Sequence, residues 1–111
     1  MAHPYKRYSI EQLQAEEELL REKLQKAEAL GQRNYIAVHR RKIEIVRSYM
    51  LDVSAFRPGD MRELKEDHEH YFKIDEVSGV VAWGHRIHKG NHETSGEREA
   101  VLLDLLGEKS K

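Results

Sequence analysis

Apolar residues recur at helical spacing along the first half of the chain. Ile10, Leu13, Leu20, Leu24, Ala27 and Leu30 step by threes, fours and sevens, while Glu11, Glu18, Glu22 and Gln25 occupy the opposite face. This is the pattern of an amphipathic helix over about 10–30. Ser9 with Gln12 three residues on makes a capping box, and Tyr8 and Leu13 are placed as the hydrophobic staple around it. Gly31 is predicted to close the helix, in the left-handed conformation that glycine adopts at little cost. A second helix over about 34–51 carries the stripe Tyr35, Ile36, Val38, Ile43, Ile45, Val46, Tyr49 and Met50, with Asn34 as its N-cap. The turn between the two is so short that they must run antiparallel, as an αα-hairpin.

Past the breaker cluster Phe56-Arg57-Pro58-Gly59-Asp60 the spacing becomes that of strands. Met61 to Glu66 is a weak strand; His70 to Val77 and Val80 to Ile87 are stronger ones, joined by Ser78-Gly79 as a tight hairpin turn. That turn sets Val77 opposite Val80, Glu76 opposite Val81, Ile74 opposite Trp83 and Phe72 opposite His85. Phe72, Ile74, Val81 and Trp83 are then expected on the core face, and Tyr71 opposite Arg86 on the outer one. His88 to Gly96 reads as a loop, Ala100 to Leu106 as either the start of a short helix or, the favoured reading, a closing strand, and the tail from Gly107 as frayed. The expected fold class is α+β: a helical hairpin over 1–53, then a small SH3-like β-barrel with a short C-terminal tail over 54–111.

Several local features occur together in order: Lys6-Arg7-Tyr8-Ser9 before the first helix, Gly31 between the helices, Arg41-Lys42 in the second, then Phe56, Pro58-Gly59 and Gly79-Val80-Val81-Ala82-Trp83-Gly84. In their order and spacing they resemble the YfhH-like family of small bacterial proteins. The resemblance implies a helical hairpin joined to an SH3-like barrel, in agreement with the periodicity. Members carry the label of transcriptional regulators, so it also implies a regulatory role. It brings no catalytic residues with it, and the His-rich stretch from His85 to His92 falls outside its pattern.

Composition narrows the function classes. The 111 residues include no cysteine, which excludes disulfides, thiolate metal sites and cysteine nucleophiles. No apolar run exceeds four residues, as in Val80 to Trp83 and Ala100 to Leu103, against the roughly 20 of a membrane span. No apolar region follows the N-terminus as in a signal peptide, so the expected location is the cytoplasm, without a membrane partner. The net charge of −1 hides an asymmetry: residues 1–51 hold 10 Lys or Arg against 7 acids, and residues 52–111 hold 9 against 13.

The candidate sites follow from that asymmetry. Arg33, Arg40, Arg41, Lys42 and Arg47 in helix two face Glu44 as the one acid, and such a helix can neutralise nucleic-acid phosphates. The bland alternative is a solvated face paired with Glu16, Glu17, Glu18 and Glu22 of helix one. A protein partner is the second expectation. Helix one, about 21 residues and roughly 32 Å long, outreaches a small barrel. Its Leu19 and Leu20, with Ile45 and Tyr49 of helix two, could then meet a second copy in a homodimer. Tyr71 and Arg86 are candidates for a protein contact on the sheet. His85, His88 and His92, with Glu93, offer imidazole and carboxylate ligands, but without a rigid helix or a His-Glu-x-x-His pattern they assign no metal. No nucleophile elbow or phosphate loop is present, and no cofactor is implied. The expectation is a non-catalytic binding module.

Overall fold

A computed structural model of the chain describes residues 4–110. Two helices, α1 (Ile10–Ala29) and α2 (Arg33–Tyr49), precede five strands: β1 (Met61–Leu64), β2 (Asp67–Ser78), β3 (Val81–His88), β4 (Glu99–Leu102) and β5 (Leu106–Lys109). Single 3-10 turns cover Pro4–Arg7, Val53–Ala55 and Leu103–Leu105. The chain divides into two compact units, Met1–Leu51 and Asp52–Lys111.

In the first unit, Ser9 caps α1: its hydroxyl accepts from the Gln12 amide at 3.1 Å, and the Gln12 side chain accepts from the Ser9 amide at 2.8 Å. Leu30 and Gly31 end the helix, with Gly31 at φ 65°. The Gln32 amide reaches the Ala27 carbonyl and the Gly31 amide that of Glu28, the paired bonds of a Schellman motif. α2 begins one residue earlier than expected. Gln32 holds the N-cap position without a side-chain hydrogen bond, and Asn34 lies inside the first turn. The hairpin core is narrower than the apolar stripes suggest. Leu13, Leu20 and Ala27, seven residues apart, are buried; Leu13 and Leu20 pack with Ile43 and Val46, and Tyr5, Leu24, Tyr49 and Met50 flank that cluster. Ile10, Leu30, Tyr35 and Val38 are exposed.

The second unit is an antiparallel sheet in the order β4-β3-β2-β1-β5. β4 and β5 are its two edges and do not pair, so the sheet is open rather than the expected closed barrel. The reason is length: both edge strands have four residues, and the 3-10 turn Leu103–Leu105 lies between them. The tail is not frayed. β5 pairs with β1, and the Ser110 amide donates to the Met61 carbonyl at 2.7 Å.

The β2–β3 register also differs from expectation. Ser78 pairs with Val81, so the two-residue loop is Gly79-Val80, with Gly79 at φ 59°. A type II′ turn wants glycine at its first central position; a loop beginning at Ser78 would put a side chain there instead. That slip of the turn moves each cross-strand partner by two residues and so leaves the faces of β3 near the turn unchanged, with Val77 opposite Ala82 and Glu76 opposite Trp83. Ala82 and Gly84 reach the core face, and Trp83 points the other way, with the Arg98 guanidinium 5.1 Å from its ring centre. The register shifts again, by one residue, between Ile74 and Glu76, leaving Asp75 as the extra residue of a bulge, and it is this shift that turns β3 over relative to Phe72 and Ile74. Ile74 therefore pairs with Gly84, Phe72 with Arg86, and Tyr71 with Ile87 rather than Arg86. The core consists of Leu64, Phe72, Ile74, Ala82, Val101, Leu103 and Leu106.

Candidate binding surface

α2 does not present its five cations on one face. Arg33, Arg40 and Arg47 recur every seven residues and form a single stripe. Lys42, nine residues after Arg33, lies about half a turn away at 100° per residue. The stripe is partly neutralised. Glu17 of α1 lies 2.6 Å from the Arg21 guanidinium and 3.5 Å from that of Arg47, and Arg41 pairs with Glu44 at 3.3 Å. Arg33, Arg40 and Lys42 are exposed and form no ion pair among the described residues.

The opposite flank of the hairpin carries residues outside the expected set. Leu19, Lys23, Lys26 and Leu30 are spaced by four, three and four, which aligns them along one ridge of α1. Tyr35, His39 and Lys42, spaced by four and three, form the facing ridge of α2. Lys23, Lys26, Ala27, Gln32, Tyr35 and His39 line a shallow cleft between the ridges. Leu19 is 46% exposed and Tyr35 58%. The Tyr35 and His39 rings stack at 6.3 Å with 21° between their planes. Lys23 and Lys26 have no acidic partner among the described residues. A sequence search for runs of basic residues passes over this surface, because its lysines are divided between two helices.

The residues expected to meet a protein partner are largely engaged within the fold. Ile45 is half-buried, and Tyr49 packs on the hairpin core with its ring 6.3 Å from that of Tyr5. Tyr71 lies under the Lys89 ammonium, 4.8 Å from the ring centre, and Lys89 is held by Glu63. Arg86 forms a network with acids that the chain places far away in sequence. It donates to both carboxylate oxygens of Glu99 between 2.9 and 3.1 Å and to Asp67 at 2.6 Å. The Glu99 hydrogen bonds, opposed by burial and joined by Asp67, raise the Arg86 pKa above its ordinary value. Burial alone would raise the Asp67 pKa, but hydrogen bonds from His70, Arg86 and the Glu69 amide outweigh it and hold the carboxyl at about 2.

The structure does not bring His85, His88 and His92 together. His85 sits between Asp75, 3.5 Å away, and the Glu97 carbonyl. His88 Nδ1 accepts from the Gly90 and Asn91 amides and cannot also donate there. His92 sits in the left-handed region at φ 59°. No group of three or more His, Asp or Glu is placed to hold a metal ion among the described residues, and none of the described helices is long and apolar enough to cross a membrane.

Comparison with known proteins places this architecture. A family described as "Protein of unknown function (DUF1811)" matches residues 3–107. The "Uncharacterized protein YfhH" of Bacillus subtilis (strain 168) is 35% identical over 109 residues, covering 98% of this chain and 99% of that protein. The match spans residues of both units, the hairpin and the open sheet. The chain belongs to the DUF1811 family of YfhH-like proteins.

Proposed function

We propose that the protein is a non-catalytic binding module whose helical hairpin contacts nucleic acid through its phosphates. One observation carries this reading: Arg33, Arg40 and Lys42 are exposed cations without an ion pair among the described residues, on a helix whose one acid, Glu44, is held by Arg41. Ordering a long cationic side chain in water costs entropy, and an unpaired surface cation adds little to stability. Phosphates provide such cations with a partner, and binding releases condensed counterions. The regulatory role implied by the family resemblance is compatible with this chemistry and with a cytoplasmic location. The strand order β4-β3-β2-β1-β5 supports an SH3-like reading of the sheet unit.

The test is a salt titration of oligonucleotide affinity for the wild type and for Arg33→Ala/Arg40→Ala. The double variant is expected to bind more weakly and to lower the log–log salt slope by roughly 1.5, at about 0.7–0.9 for each phosphate no longer neutralised. Equal affinities and slopes would refute the reading. A second reading, assembly with another protein or a second copy, is favoured by the exposed Leu19, Leu30 and Val38. Leu19→Glu should then abolish a concentration-dependent rise in mass measured by sedimentation.

A further inference from the structure

The arginine stripe can neutralise phosphates but offers no ring to a base. The other flank of the hairpin does. Tyr35 is more than half exposed, and its ring is oriented by stacking on His39 at 6.3 Å. Two aromatic side chains one turn apart on a helix present a flat platform rather than a mobile ring. Lys23 and Lys26 line the same cleft from α1, Gln32 adds an amide, and Lys42 continues the Tyr35–His39 ridge by three residues. The lysines make no ion pair among the described residues. His39 Nδ1 is buried and has no hydrogen-bond partner among the described residues. A buried polar atom left unsatisfied is a cost to the fold, and such atoms ordinarily have a reason to be there.

A planar ring flanked by separated cations in a concave surface matches one ligand chemistry: an aromatic base with phosphates on either side. A duplex keeps its bases stacked inside and cannot present one to Tyr35; a single strand can. A lipid headgroup would use the lysines but would leave the ring platform without a role. Resting on the nucleic-acid reading above, we propose that the cleft between Lys23, Lys26, Tyr35 and His39 receives an unpaired base of single-stranded nucleic acid, which stacks on Tyr35 while the lysines hold its flanking phosphates.

The probes are a labelled single-stranded oligonucleotide, the matching duplex, and an abasic strand of equal length and charge, each tested by fluorescence anisotropy at low salt. The single strand is expected to bind more tightly than the abasic strand. Tyr35→Leu should weaken single-strand binding roughly tenfold, as removal of one base stack implies, and leave abasic binding unchanged. Tyr35→Phe, which keeps the ring, should retain the affinity; the abasic probe needs no variant and is independent of any folding defect. Lys23→Ala/Lys26→Ala should weaken both strands. If the abasic strand binds as tightly as the single strand, or if Tyr35→Leu has no effect, the cleft proposal falls while phosphate binding by the hairpin stands. If no oligonucleotide binds the wild type, both fall.

Discussion

Gly84 shows how one residue constrains the sheet. A Cβ built at this position would lie 1.9 Å from the Lys73 carbonyl oxygen and 3.1 Å from the Phe72 ring. Backbone cannot yield as a flexible side chain can, so Gly84→Ala should destabilise the sheet unit by about 2 kcal/mol or more, read by chemical denaturation. Gly31 is a different case. Nothing lies within 4 Å of its would-be Cβ, and Gly31→Ala should cost only the left-handed backbone, about 1 kcal/mol. Asp67 predicts a pH dependence. Its carboxyl is held at about 2 in the folded protein, below its unfolded value near 4. Its stabilisation is complete above about pH 4 and is lost as pH falls through the folded value, because the unfolded chain takes up the proton first. Acid unfolding should show a loss of roughly 2 kcal/mol between about pH 4 and pH 2 that Asp67→Asn lacks. An equal acid loss in that variant would assign the effect elsewhere. Gly31 is legible in the sequence because its role is local. The partners of Arg86 are not, because Asp67 and Glu99 stand 19 and 13 positions away and only the sheet brings them together.

The elements are legible where a local signal fixes them. The Ser9–Gln12 capping box forms as the spacing predicts, and Ser9→Ala should lower stability by about 1 kcal/mol. The buried stripe of α1 is shorter than its spacing predicts: Leu13, Leu20 and Ala27 are buried, whereas Ile10 and Leu30 at its ends are exposed. The β2–β3 hairpin forms with its turn one residue later than the alternation predicts. The backbone demand at Gly79 places the turn, and the bulge at Asp75 then brings Ala82 and Gly84 rather than Val81 and Trp83 onto the face of Phe72 and Ile74; alternation does not reveal the bulge, since Val81 and Trp83 are as apolar as Val80 and Ala82. Two substitutions on adjacent residues test the register. Ala82→Asp puts a charge at a fully buried position and should unfold the sheet unit, while Val81→Lys, on the partly exposed row, should be tolerated. The reverse ranking would mean a ladder without the bulge, with Val81 and Trp83 on the face of Phe72 and Ile74. β5 is hidden in the sequence because Gly107 and the charged residues after it resemble a tail. Its pairing with β1, including the Ser110–Met61 bond, makes it a strand.

At the scale of the molecule, the net charge of −1 is the sum of a basic hairpin half and an acidic sheet half. In the sheet unit many cations meet acids at close range, among them Arg86 with Asp67 and Glu99, Lys89 with Glu63, and Arg98 with Glu76. The hairpin leaves Lys23, Lys26, Arg33, Arg40 and Lys42 without such partners among the described residues. That difference is the physical basis for assigning binding to the hairpin, and it is only partly visible in the sequence. The excess of positive charge can be counted there, but its division into an arginine stripe and a lysine–tyrosine cleft requires the helix phases. On the reading proposed above, this unpaired charge meets phosphate. The most direct measurement is the affinity of the unmodified protein for labelled single-stranded and duplex oligonucleotides as salt is raised from a low concentration. Binding is expected at low salt and should weaken linearly on a log–log scale, with a slope reporting several neutralised phosphates. No binding at the lowest salt, or an affinity independent of salt, would contradict that reading.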